Sequence, residues 1–169
     1  MRRPVPDTPG PGQESVWDYP RPPRLERTDE EVEVVLGGTV VARTRSAYRV
    51  LETSHPPTYY LPREAFLLGV LRPSAGHTYC EWKGQASYVD VVGGDPDRPV
   101  VAERAGWLYP TPTRAYAALV DHVALYPGAM DRCTVAGEVV RPQPGGFYGG
   151  WVTSRVVGPF KGDPGTMFW

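Results

Sequence analysis

Glycine and proline punctuate this chain from end to end, 19 and 20 of them among 169 residues, and nothing else constrains its fold as much. Glycine interrupts regular structure by its conformational freedom, proline by its fixed φ and missing N–H. Between them lie short runs rich in Val, Thr and Tyr, the pattern of strands separated by turns. Val32-Glu33-Val34-Val35-Leu36 and Thr39-Val40-Val41-Ala42-Arg43 flank Gly37-Gly38, which predicts a hairpin closed by a two-residue glycine turn. Residues 47–51, 77–82, 86–92 and 100–109 read as further strands, and 133–140 as a second hairpin. Residues 62–66 can open a single helical turn, since proline suits the first helical position. One segment breaks the pattern: Ala115, Tyr116, Leu119, Val120 and Val123 fall near helical spacing, with Thr111 or Thr113 placed to cap them, so one substantial helix is expected over 113–123. The sum is a mainly β chain.

The length suits one domain with a real core. Residues 1–13 are rich in Pro and Gly and are expected to be a disordered arm; residues 14–169 form the single domain. Residues 14–27 should lie extended across it, with Trp17 and Tyr19 as anchors, and the stretch from Pro142 onward should be an irregular wrap. The formal net charge of −1 lacks the basic excess of a nucleic-acid binder, so no nucleic-acid partner is expected. Two distant thiols, Cys80 and Cys133, make neither a disulfide framework nor a zinc knuckle. The basic start has no apolar stretch behind it, and no run nears the roughly 20 apolar residues of a membrane helix. The expectation is a soluble, cytoplasmic protein with no membrane partner.

Two segments concentrate chemistry. Thr53-Ser54-His55-Pro56-Pro57-Thr58-Tyr59-Tyr60-Leu61-Pro62 and Cys80-Glu81-Trp82-Lys83-Gly84-Gln85-Ala86-Ser87-Tyr88 each set scarce reactive side chains beside aromatic rings. Apolar surface with a few polar groups is the make-up of a ligand pocket, and the two segments are expected to border the same one. His55 can serve as a general acid or base, its ordinary pKa lying near ~6.5, or it can cap a turn. Cys80 can be a nucleophile activated by His55, or a small buried residue packed beside Trp82 on the same strand face. Lys83 can hold a phosphate or carboxylate as a point charge, as can Lys161, or it can sit solvated at a hairpin tip. Glu52 and Glu81 are the nearest carboxylates, available for acid–base work, a divalent cation or surface ion pairs. His55, Cys80 and Lys83 are the catalytic candidates; Glu52, Ser54, Tyr59, Tyr60, Trp82 and Tyr88 are the candidate ligand contacts, and no metal site is expected. No motif names a cofactor.

The segments 53–60 and Cys80-Glu81-Trp82-Lys83-Gly84, with Tyr126-Pro127 and Gly145-Gly146-Phe147-Tyr148-Gly149-Gly150-Trp151, resemble the bacterial and fungal domain of unknown function 427 family, also filed under a nucleotidyltransferase-like label. The resemblance runs from about Glu14 to the end of the chain. It implies a mainly β fold of curved antiparallel sheets similar to the Mss4-like architecture, and no established activity. The chain carries neither the Gly-Ser pair with Asp-x-Asp of nucleotidyltransferases nor the paired Cys-x-x-Cys zinc motifs of many Mss4-like proteins, so neither site is carried over. Two functions remain open: a pocket that binds or acts on a small polar or anionic ligand, and a protein-interaction module using the aromatic and Pro-rich loops.

Overall fold

The computed structural model describes residues 2–169. In chain order its strands are β1 (Glu14–Ser15), β2 (Arg24–Thr28), β3 (Val32–Leu36), β4 (Thr39–Thr44), β5 (Ala47–Leu51), β6 (Thr58–Pro62), β7 (Leu71–Cys80), β8 (Gly84–Asp95), β9 (Arg98–Leu108), β10 (His122–Leu125), β11 (Arg132–Val135), β12 (Glu138–Val139), β13 (Arg141–Pro142), β14 (Trp151–Val152) and β15 (Val156–Val157). Strand makes up 46% and helix 9%, the latter all in short 3-10 segments, so the chain is mainly β as expected. Seven strands form a curled antiparallel half-barrel in the order β2-β5-β6-β10-β9-β8-β7. A four-stranded sheet, β12-β11-β3-β4, packs against it, and β1–β15 and β13–β14 form two further short pairs.

Local chemistry explains the turns. Gly37 and Gly38 take φ values of 63° and 75°, the left-handed pair that a tight hairpin needs between β3 and β4. Ala136 and Gly137 do the same between β11 and β12. The half-barrel curls where β7 and β9 carry extra residues: pairing with β8 skips Ala75 and Gly76 on one side, and residues 103–105 face Asp90 on the other.

Alternation along the large sheet divides its side chains between two apolar faces. Tyr59 and Leu61 of β6, Val89 and Val91 of β8 and Leu125 of β10 face Val32, Val34, Leu36 and Val41 of the small sheet. Trp151 is fully buried there, its ring 5.0 Å from Tyr59 and its Nε1–H donating to the Leu125 carbonyl at 3.1 Å. The other face carries Val50, Tyr60, Ala86, Tyr109 and Ala124, partly roofed by Tyr116 and Leu119.

The expected helix over 113–123 does not form. A 3-10 segment, Arg114–Leu119, is broken at Tyr116 (φ −117°, ψ 21°); Val120 is extended, Asp121 takes φ 56°, and the chain enters β10. The physical reason is sheet completion. β10 lies between β6 and β9, with Ala124 opposite both Tyr60 and Trp107, and a helix there would leave two strands' backbone groups without partners. The helical spacing of Ala115, Tyr116 and Leu119 is real but serves only a roof.

An ion cluster centred on buried Arg49 ties the first strand to the sheet. Arg49 of β5, wholly buried, donates to Glu14 at 2.9 Å and Glu26 at 2.7 Å; Tyr19 Oη donates to Glu14 at 2.6 Å, and Arg155 Nε to Glu14 at 2.8 Å. Residues 2–13 have no regular structure. The Asp7 N–H donates to the Gly158 carbonyl at 2.8 Å, and the Arg3 guanidinium sits 4.9 Å from the Trp17 ring centre. No helix among the described residues is long and apolar enough to cross a membrane.

Burial alone would raise the Glu14 pKa, but the hydrogen bonds from Arg49 and Tyr19 and the Arg49 and Arg155 charges hold it down at about 2, from 4.5. A carboxylate with a depressed folded pKa stabilises the fold above its unfolded value and loses that contribution as pH falls through the folded one. Urea denaturation should therefore show stability dropping as pH falls from about 4.5 to 2. Glu14→Gln should cost about 1.5–3 kcal/mol at neutral pH, the range for a hydrogen bond to a charged group, and should flatten that part of the profile.

Candidate ligand pocket

The second face of the half-barrel supplies the floor of a cavity. Register sets Tyr60, Ala124, Trp107 and Tyr88 side by side across β6, β10, β9 and β8. Ala124 is small, so the rings on either side meet over it: Trp107 Nε1–H donates to Tyr60 Oη at 3.1 Å, with the rings edge to face. Tyr126 packs against Trp107 at 4.7 Å and Tyr109 lies 6.4 Å from Tyr60. The segment 147–149 closes over this floor. A Cβ on Gly149 would lie 2.2 Å from Trp107 Cη2, so only glycine backbone can lie this close to the indole. The resulting cavity measures about 690 Å³.

One end is built around His55. Beyond β5 the chain turns tightly: the His55 N–H donates to the Glu52 carbonyl, and Ser54 takes φ 73°. This left-handed conformation costs a non-glycine residue about 1–3 kcal/mol. Pro56 and Pro57 then lead into β6. Buried Gln143 fixes the imidazole. Its Oε1 accepts from the Gly150 N–H at 3.1 Å; its Nε2 donates to the Lys161 carbonyl at 2.7 Å and to His55 Nδ1 at 3.0 Å. An amide nitrogen only donates, so His55 Nδ1 is the acceptor and the ring proton sits on Nε2. Burial, with the nearby Lys161 and Arg21 charges, holds the His55 pKa down at about 3. The 3.5 Å contact from Nε2 to Glu52 therefore involves a neutral ring, and the Glu52 carboxylate pairs instead with Arg21 at 3.2 Å. Tyr148 packs edge-on against the imidazole at 4.8 Å.

The other end is built around Lys83, in the turn from β7 to β8. Thr113 clamps that turn, its N–H donating to the Lys83 carbonyl at 3.0 Å and its Oγ1 to the Trp82 carbonyl at 2.6 Å. The ammonium lies 5.7 Å from the Tyr109 ring centre and 5.9 Å from that of Tyr116. Lys83 is only 8% exposed, and its ammonium enters no ion pair or hydrogen bond among the described residues. Cys80 lines this end too, half-buried, near the Tyr109 hydroxyl. Burial raises the Tyr60 and Tyr109 pKa values, so both stay protonated. At the bulge of β9, Arg104 takes φ 50°, its N–H held by Asp90 at 2.7 Å, and its guanidinium stacks 4.1 Å from the Tyr88 ring centre.

Seven of the residues picked out from the sequence thus line one cavity: Glu52, His55, Tyr60, Cys80, Lys83, Tyr88 and Lys161. Four do not. Tyr59 points to the opposite face, against Trp151. Ser54 is wholly buried in its turn, with its Oγ unpartnered. Trp82 packs with the Tyr109 and Tyr116 cluster. Glu81 is exposed. Arg104, Trp107, Tyr109, Gln143 and Tyr148 join the cavity without having been picked out. Residues 107 and 109, two apart at the end of β9 and just beyond it, share a face, a signal the alternation carried unread; nothing local marks Gln143. Among the described residues, no three His, Cys, Asp or Glu side chains are grouped to hold a metal ion.

Fold and site together define a curled β domain with an aromatic cavity carrying a buried lysine. The family model for the domain of unknown function DUF427 matches residues 24–136, and the chain belongs to that family. A search of curated proteins finds no match. The matched span supplies the floor and Lys83, while Gln143, Tyr148 and Lys161 lie beyond it.

The imidazole assignment predicts a specific NMR result. His55 should show the ¹⁵N pattern of a neutral Nε2–H ring and should not titrate between about pH 4 and 8; a midpoint near 6.5 would contradict it. The unfolded chain takes up this proton below about 6.5 and the folded one only near 3, so acid across that window destabilises the fold. His55→Gln should reduce that slope.

Proposed function

We propose that this protein binds, or acts on, a small anionic ligand in the cavity between His55 and Lys83. The observation that carries the reading is Lys83, a residue only 8% exposed, whose ammonium stands by two phenol rings in the cavity wall and has no acidic partner among the described residues. A cation partly screened from water gains from a counter-charge. Glu52, a carboxylate of the cavity wall, is already engaged by Arg21, so an anionic ligand is the counter-charge the cavity leaves room for. Arg104 and Lys161 add positive potential at the same cavity. The volume lies in the range of small-molecule sites, and the aromatic walls suit an apolar body. His55, kept neutral, serves as a hydrogen-bond donor through Nε2–H. Reaction at the Cys80 thiol, beside Lys83, is what would make the protein an enzyme.

The interaction reading draws on a different surface. Leu67 and Leu68, 61% and fully exposed, stand in the loop before β7, outside the cavity. The Mss4-like likeness and a cytoplasmic setting belong with the proposal: the first is supported by the curled antiparallel sheet packed on a smaller one, the second by the sparse, unpaired cysteines.

The test is to incubate the purified protein with the small-molecule fraction of a cell extract, wash it, denature it, and identify what was retained by mass spectrometry. Wild type should retain an acid, and Trp107→Ala should retain less of it. Retention of nothing by wild type, with protein partners captured through Leu67 and Leu68, would replace this reading with the interaction module.

A further inference from the structure

Given a ligand pocket at this cavity, on which the inference rests, the chemistry around Lys83 says more about the ligand than that it is an anion. Of the three cations that line the cavity, Lys83 alone is neither exposed nor hydrogen-bonded among the described residues. Arg104 is exposed and stacked on Tyr88, and Lys161 already donates to the Trp169 carbonyl at 3.2 Å. A phosphate monoester would bring about 1.5–2 negative charges at neutral pH, more than one ammonium neutralises, whereas a carboxylate brings one.

The donor count agrees. A phosphoryl group has three acceptor oxygens and is ordinarily met by several free backbone N–H groups or a guanidinium fork. The backbone near Lys83 has little to offer. The Thr113 N–H donates to the Lys83 carbonyl, the Tyr116 N–H to the Thr113 carbonyl, and Gly84 pairs with Cys80 in the hairpin. What is available is a pair of phenols in contact with each other. Tyr60 Oη accepts from Trp107 Nε1, and the Tyr109 hydroxyl faces Tyr60 and Cys80, so the pair keeps one O–H to donate. One ammonium and one neutral O–H donor match the two oxygens of a carboxylate. Between this end and the mouth the walls are rings, Tyr60, Trp107 and Tyr126, which favour edge and face contact with another flat ring.

We propose that the natural ligand is a monocarboxylate on a planar aromatic body, with its acid group between Lys83 and the Tyr109 hydroxyl and its ring against Trp107. The Lys83 ammonium supplies the counter-charge, and Tyr109 donates to the second oxygen.

Three probes sharing one ring test this: 2-naphthylacetate, its neutral amide, and 2-naphthyl phosphate. Binding is measured by calorimetry and mapped by ¹⁵N NMR on the Trp107 indole N–H. Wild type should bind the acid at least about tenfold tighter than the amide, a difference of about 1.4 kcal/mol. It should bind the acid tighter than the phosphate as well. Lys83→Met should abolish the preference of acid over amide, and Tyr109→Phe should weaken the acid several-fold while leaving the amide unchanged. The wild-type comparison stands even if a variant folds poorly. Equal affinity for acid and amide overturns the assignment of Lys83 as the acid's partner. Tighter, Lys83-dependent binding of the phosphate overturns the carboxylate class and leaves the pocket reading in place. No shift of Trp107 with any of the three overturns both.

Discussion

The half-barrel is apolar on both faces, and the small sheet covers only one of them. β6 shows why: Tyr59 and Leu61 point to the covered face, Tyr60 to the other. Burying large aromatic side chains stabilises a domain by roughly 1.5–3 kcal/mol each, so the second face must also be kept from water. The chain does this piecemeal. Tyr116 and Leu119 roof one part, and the glycine-rich segment 147–150 lies over Trp107. The space left between these covers is the cavity. The pocket is thus a consequence of how the sheet's second face is covered, and the same constraint draws residues 122–125 into a strand.

Polar groups inside this arrangement are wired in opposite ways at its two ends. At His55 the ring is held from its Nδ1 side: one carboxamide, Gln143, joins the His55 loop, the Gly150 backbone and the Lys161 backbone. That network holds the ring in one tautomer, and the strained turn at Ser54 lies directly beneath it. Strain of this kind persists where surrounding contacts over-determine the backbone, and it concentrates at functional sites. At Lys83 the converse holds. The backbone is clamped by Thr113, but the ammonium is left with ring faces alone. One end is ordered by its own hydrogen bonds, and the other presents a cation that its neighbours leave unpaired.

Much of this was legible in the sequence because it depends on local signals. Gly37-Gly38 marks its hairpin, and Trp17 and Tyr19 are buried anchors, although Val16–Asp18 winds into a 3-10 turn where extended chain was expected. Scarcity of reactive side chains picked out His55, Cys80 and Lys83, which do share a cavity. The misses are of one kind. Residues 113–123 show helical spacing, but sheet closure is a non-local demand that spacing does not reveal. Tyr59 and Tyr60 are adjacent and chemically alike, and only the register of β6 decides which one faces the cavity. Gln143 carries no local mark, since its role arises from segments 88 and 18 residues away.

If Lys83 is a charge buried for a ligand and not for the fold, the free protein should not depend on it for stability. Comparing the thermal unfolding of wild type with that of Lys83→Met tests this without any ligand. Methionine keeps the apolar stem and its contacts with Tyr109 and Tyr116, and removes the uncompensated charge. Replacing buried ionic groups by apolar ones of similar volume is often neutral or stabilising by about 1–4 kcal/mol. In a domain of this size each kcal/mol shifts Tm by about 2–4 °C. Lys83→Met should therefore have an unchanged or higher Tm. A fall of several degrees would contradict the ligand role, because it would show that the ammonium stabilises the fold itself.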